Sequence, residues 1–178
     1  MSSPSQLITS STLALGRLRT GQAVVNTSIM DKLAPAIGET CDYEVQLNNC
    51  VINDFDGCVT QFAKPVKFVD CHFKNCAFVF AYFLQGLLIE NCVFDHYLDF
   101  QAGGHNDIGY PILIKNNHFS GFVNFFDCWY KGEVFIYDNL FAKGTNINSR
   151  NQLITCEVVP IISGNQGPLN IEAEFETN

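Results

Sequence analysis

The chain has 178 residues, 47% of them hydrophobic and 16 of them Phe, with a formal net charge of -8. That is one domain with a sizeable core. No stretch approaches the roughly 18 apolar residues of a membrane span, and the acid excess excludes a general binder of nucleic-acid phosphates, which needs a basic stripe.

Residues 1–21 stand apart from the rest. Met1 to Gln6 are polar, with no basic segment leading into an apolar run, so no secretory leader is expected; a mature secreted chain would look the same. Thr9 and Ser10 can cap a helix whose apolar side is Leu13, Leu15 and Leu18, with Gly21 as its stop. Such a helix would cover the open end of the repeat stack that follows.

Residues 22–167 carry that repeat. One unit recurs every 21 to 26 residues: apolar, any, apolar, any, Asn or Asp, then Cys or Asn, any, and Phe or Ile. Its clearest copies are Leu47–Ile52, Phe68–Phe73, Ile89–Phe94, Ile114–Phe119 and Ile136–Phe141, with weaker ones at Val24–Ile29 and Ile162–Gly167. Alternation of this kind means strands with one buried face. The Asn or Asp before the Cys/Asn position marks a tight bend, because these side chains tolerate the left-handed backbone. A second strand in each coil is expected to bury Cys58, Val79, Phe100, Phe125 and Ile147. No helical interval separates the strands, as a βαβ unit would need, and Asp56-Gly57 is the lone hairpin-type pair. The pattern predicts an all-β chain: a right-handed parallel β-helix of about seven coils.

Eight Cys invite a disulfide framework. Cys50, Cys71 and Cys92, however, share one repeat position, and stacked strands would hold them about 4.8 Å apart with parallel side chains, too far for a disulfide. The spacing also lacks the paired Cys-x2-Cys units of zinc sites. They read as a column of free buried thiols, which fits a reducing compartment, most simply the cytoplasm. Asn117, Asn139 and Asn165 continue the column as amides able to bond one another, so it should change type between Cys92 and Asn117. Residues 168–178 form a separate segment, with Leu169 to Phe175 alternating as an amphipathic strand laid over the last coil or along a side of the prism.

Within 66–88, Phe68, Phe73, Phe78, Phe83 and Leu88 lie five apart, and Val66, Cys71, Cys76, Ala81 and Gly86 precede each by two. This run resembles the pentapeptide-repeat family of β-helices, and the helix-capped start resembles bacterial proteins of that type. The resemblance implies a possible acidic rod imitating duplex DNA to inhibit a DNA-handling enzyme.

Two places could carry function. The insert between Cys92 and Asn117 gathers Asp95, His96, Asp99, His105, Asn106, Asp107 and Tyr110. Asp99 aligns with Asn124 and Asn146 in what should be one outward row. If the chain were an enzyme, Asp95, Asp99 and Asp127 would supply the carboxylate pair of a glycan-cleaving site; otherwise no catalytic residue is expected. No metal or cofactor is expected, because no ligand, phosphate-loop or nucleophile motif is present. His72 and His118 share a row but lie two coils apart, about 10 Å, too far to share an ion. The other place is a surface: Gln46 and Lys67 are followed by an outward apolar column of Leu88, Leu113, Phe135 and Ile161, with Tyr110, Phe126, Trp129 and Tyr130 near the insert. Such a column is normally covered, by the tail, by a second copy or by a partner. The expected function is a non-enzymatic scaffold that binds a protein or itself. The alternatives are a carbohydrate-active or sugar-binding module and, less favoured, the DNA mimic.

Overall fold

The computed structural model describes residues 7–151 and 153–172, and in them the chain winds as a parallel β-helix with three walls. The first wall is a seven-stranded parallel sheet of Val24–Val25, Val45–Asn48, Val66–Val69, Leu87–Glu90, Ile112–Lys115, Val134–Tyr137 and Ile161–Ser163. The second stacks Leu7–Thr9, Thr27–Leu33, Val51–Asp56, His72–Ala77, Val93–Phe94, His118–Phe119 and Leu140–Phe141, with Leu98–Asp99 and Val123–Asn124 alongside. The third runs from Thr40–Cys41 through Gln61–Phe62 and Tyr82–Phe83, then by bridges through Gly104 to Trp129–Tyr130 and Thr155–Cys156.

The corner between the first two walls explains the repeat. Asn26, Asn49, Asp70, Asn91, Asn116, Asp138 and Gly164 all hold positive φ, between 50° and 65°. Asn, Asp and Gly tolerate that backbone most readily. The turn points the next residue inward, and there stand Thr27, Cys50, Cys71, Cys92, Asn117, Asn139 and Asn165. The thiols donate to carbonyls of their own and the preceding coil: Cys50 to Val24, and Cys71 to Leu47, each at 3.4 Å. The switch comes where expected. The Cys92 amide N–H donates to Asn117 Oδ1 at 2.8 Å, and from there amides link the coils. Asn117 Nδ2 donates to Asn139 Oδ1 and Asn139 Nδ2 to Asn165 Oδ1, both at 2.9 Å.

Behind this column the core is a stack of rings. Phe73, Phe94, Phe119 and Phe141 lie one over another with centroids 4.9, 5.1 and 5.0 Å apart. Phe78, Phe100 and Phe125 form a second pile at 5.3 and 5.1 Å. These separations match the rung spacing of about 4.8 Å, so successive coils add one ring at a time to each pile.

Several expectations need correction. The second-strand row is not Cys58, Val79, Phe100. Asp56 pairs with Ala77, and Ala77 with Asp99, which places Gly57 and Phe78 under Phe100. The earlier coils are one residue shorter here, and Cys58 and Val79 turn half outward. Gly57 has to be Gly, because a Cβ there would meet the Phe78 ring at 2.7 Å. The five-residue series fails at Leu88, which points outward between buried Leu87 and Ile89. The helix is Ser11–Arg19, and Ser10 alone caps it, its Oγ accepting from the Leu13 N–H at 3.3 Å. Thr9 belongs instead to a strand, Leu7–Thr9, that pairs with Thr27–Ile29 and adds to the second wall ahead of the helix. The helix buries Ala14 and Leu18, one turn apart, with Leu15 against the core, while Leu13 is 64% exposed. Leu169 to Glu172 form no strand. They follow Thr145–Asn148 as the start of another turn, with Thr145 N–H to Pro168 O at 2.9 Å and Asn148 N–H to Leu169 O at 2.8 Å. The remaining predicted tail positions, through Phe175, lie outside the described residues.

Three outcomes follow. Asn139→Ala strips partners from the buried Ile114 carbonyl and from both Asn117 donors; it should cost roughly 3 kcal/mol, read as a lower urea midpoint at unchanged slope. The eight Cys are free. A hydrogen bond with Cys50 pulls the Cys71 thiol down, but Cys92 and burial outweigh it and push it up to about 12; burial pushes Cys128 to about 12 as well. Because unfolded thiols ionise near about 8.5, the native state should hold its stability below that pH and lose it between about 9 and 12, as alkaline unfolding midpoints will show. A thiol reagent at neutral pH should reach Cys50, Cys71, Cys76, Cys92 and Cys128 only after unfolding.

Candidate interaction surface

The first wall presents its outward residues in strict register. Gln46 pairs with Lys67, Lys67 with Leu88, Leu88 with Leu113, Leu113 with Phe135, and Phe135 with Ile161. Leu88, Leu113 and Phe135 are half-buried and Ile161 is 53% exposed, so four apolar side chains run side by side up the wall. The neighbouring outward row carries Asn48, Val69, Glu90, Lys115 and Tyr137. Glu90 and Lys115 pair at 2.9 Å, and Lys67 meets Glu44 at 2.7 Å, so the charges beside the column are locally neutralised. Leu169 to Ile171 bond to Thr145–Asn148, away from the first wall, so this part of the tail does not cover the column.

The insert does not gather its polar residues. Between 95 and 110 the chain rounds two corners, which spreads them over different walls. Asp95 Oδ1 accepts from His72 Nε2 at 2.8 Å, one coil back on the second wall. Asp99 is half-buried and faces away from the core, between the inward Leu98 and Phe100. Its Oδ1 accepts from the Gln101 N–H and from Asn124 Nδ2, both at 2.9 Å, and Asn146 Nδ2 continues the chain to Asn124 Oδ1 at 2.7 Å. Asn124 and Asn146 are buried, so the aligned Asp, Asn, Asn row is a second hydrogen-bonded ladder, open at Asp99 and covered beyond it. Burial raises the Asp99 carboxyl above its ordinary value, against the hydrogen bonds from Gln101, Asn124 and Tyr97. Asp127 is an exposed corner residue of the next coil, at φ 56°. His96, Asp107 and Tyr110 are exposed, while Asn106 is buried and ties the loop down, its Nδ2 donating to the Tyr110 and Glu133 carbonyls at 3.0 and 3.2 Å. Among the described residues no three His, Cys, Asp or Glu side chains lie close enough to hold a metal ion. His72 and His118 flank Val93 in one outward row, two coils apart as the spacing requires.

The aromatic group also divides. Tyr130, expected on the surface, is 2% exposed, because strand alternation turns it inward beside Cys128. Phe126 is half-buried, while Tyr110 and Trp129 are exposed. The structure instead assembles a row that sequence spacing hides. Tyr82, Gly104 and Trp129 are in register on the third wall, and the His105 ring lies between the two aromatic rings, 4.1 Å from Tyr82 and 5.3 Å from Trp129. These residues stand 11, 13 and 12 positions past Cys71, Cys92 and Asn117, so no single repeat offset reveals them. Trp129 Nε1 donates to Glu157 Oε1 at 3.1 Å.

Compared with protein-family models, with curated proteins and with solved structures, the chain matches none. Among the described residues no helix is long and apolar enough to cross a membrane.

Asp99 thus has the surroundings of a ladder residue. Asp99→Asn extends the Asn124–Asn146 series and removes a half-buried charge. We expect it to gain about 0.5 kcal/mol at pH 7, read as a higher melting temperature. The gain should shrink as pH falls through the raised carboxyl pKa, where the parent chain sheds the same charge.

Proposed function

We propose that this protein is a non-enzymatic β-helical scaffold whose first wall docks a protein partner or a second copy of itself. The observation that carries the reading is the register of Leu88, Leu113, Phe135 and Ile161, four apolar side chains on a rigid parallel sheet with paired charges beside them. A flat wall of this kind suits protein contact better than chemistry. Contiguous apolar surface favours burial against a partner, and a backbone fixed from coil to coil costs little entropy on docking.

Other features speak less for the alternatives. A glycan-cleaving pair needs two free carboxylates across a cleft, yet Asp99 is locked in a ladder and Asp95 is engaged by His72. A DNA mimic needs an unbroken anionic stripe, but Asp54 and Asp56 meet Lys32, Glu44 meets Lys67, and Glu90 meets Lys115.

Native mass measurement tests the proposal. The parent chain should associate at micromolar concentration, and Leu113→Asp or Phe135→Asp should return it to monomer with a melting temperature changed by only a few degrees, since both side chains point outward. A parent that stays monomeric, with variants that fractionate and melt like it and lose no protein partner, removes the docking role.

A further inference from the structure

The corner between the second and third walls breaks the rule that the first corner keeps. Gly38 is followed up the stack by Val59 at φ 53°, Phe80 at 55°, Ala102 at 52° and Asp127 at 56°. Their N–H groups donate from coil to coil: Gly38 to Val59 O, Val59 to Val79 O, Phe80 to Gln101 O and Ala102 to Phe126 O, at 3.1, 2.8, 2.9 and 2.9 Å. The first corner fills such positions with Asn, Asp or Gly, whereas here a β-branched and a large aromatic side chain stand in a backbone that disfavours both. Core packing does not explain their presence, because Val59 is 54% and Phe80 49% exposed. Strain retained at exposed residues is a mark of a binding surface.

A hollow adjoins this corner. Val59 and Phe80 border an open hollow of about 370 Å³, lined further by Glu39, Thr40, Gln61 and Tyr82. The Tyr82, His105 and Trp129 rings continue from it along the third wall.

We propose that this hollow and ring row form a binding site for an uncharged oligosaccharide. The exposed parts of Phe80 and Trp129 offer apolar surface to sugar C–H groups, while the Glu39 carboxylate, the Gln61 amide and the Thr40 hydroxyl offer hydrogen bonds to sugar hydroxyls. No cation lines the hollow itself; Lys131 lies over the Trp129 ring at 5.8 Å, at the far end of the row, and the chain as a whole carries a net charge of -8, which disfavours an anionic glycan. An extended peptide is less well served, because the corner's N–H groups are already committed from coil to coil and offer no open strand edge.

The test offers cello-, xylo-, manno- and chito-oligosaccharides to the intact chain and reads binding by saturation-transfer NMR and calorimetry. At least one series should bind, and Phe80→Asn and Tyr82→Ala should each weaken it about tenfold or more. Phe80→Asn should also raise the melting temperature by a few degrees, because Asn accepts the left-handed backbone. If Tyr82→Ala does not fold, Gln61→Ala, at an exposed strand position, carries the same affinity test. Leu113→Asp should leave sugar affinity unchanged, which separates this site from the first wall. Binding by no member of the panel, or affinity indifferent to Phe80→Asn, overturns the proposal. So does loss of self-association or protein binding, rather than sugar binding, in Phe80→Asn, which would make the ridge a protein contact.

Discussion

The structure depends on one repeated contact: a side chain just behind the first corner that bonds the backbone of the neighbouring coil. The left-handed Asn, Asp or Gly before it aims that side chain inward. A thiol or an amide then occupies the space between the first and second walls and satisfies carbonyl and N–H groups that the turn leaves unpaired. Buried backbone groups without such partners would be costly. Every coil solves the same problem at the same place, so the coils stack without slipping.

Register is what the surface inherits from that contact. Once the corner residues lie over one another, every outward side chain on the first wall lies over its equivalent, and an apolar residue in successive repeats becomes a continuous column. The ring piles in the core follow from the same alignment, as does the hydrogen-bonded ladder of Asp99, Asn124 and Asn146. The third wall is less regular, because coils differ in length between the second and third corners. There the chain uses Gly104 and single bridges where the other walls use ladders.

Much of this was legible in the sequence, and the failures share a cause. Alternation and the Asn-Cys or Asn-Asn pair located the walls, the first corner and the apolar column, since each is set by neighbours within a few residues. Alignment by a fixed offset failed wherever coil lengths differed, which put Cys58 and Val79 in a row that belongs to Gly57 and Phe78. At Asp99 the row was aligned correctly, but residue type alone did not show that its members bond one another from coil to coil. Tyr130 was assigned outward by its neighbours in sequence, whereas strand alternation separates it from Trp129. The strained second corner carried no readable signal, because Val and Phe do not announce a left-handed turn.

The change from sulfur to amide along the column gives the prism two chemically unlike halves. Amides are inert to peroxide, while thiols can gain oxygen atoms. Packed as tightly as Cys50, Cys71 and Cys92 are, they have no room for them. In the native fold the column's thiols are shielded, so an oxidant meets first the half-exposed Cys58 and Cys156, which stand outside the column, one in each half of the prism.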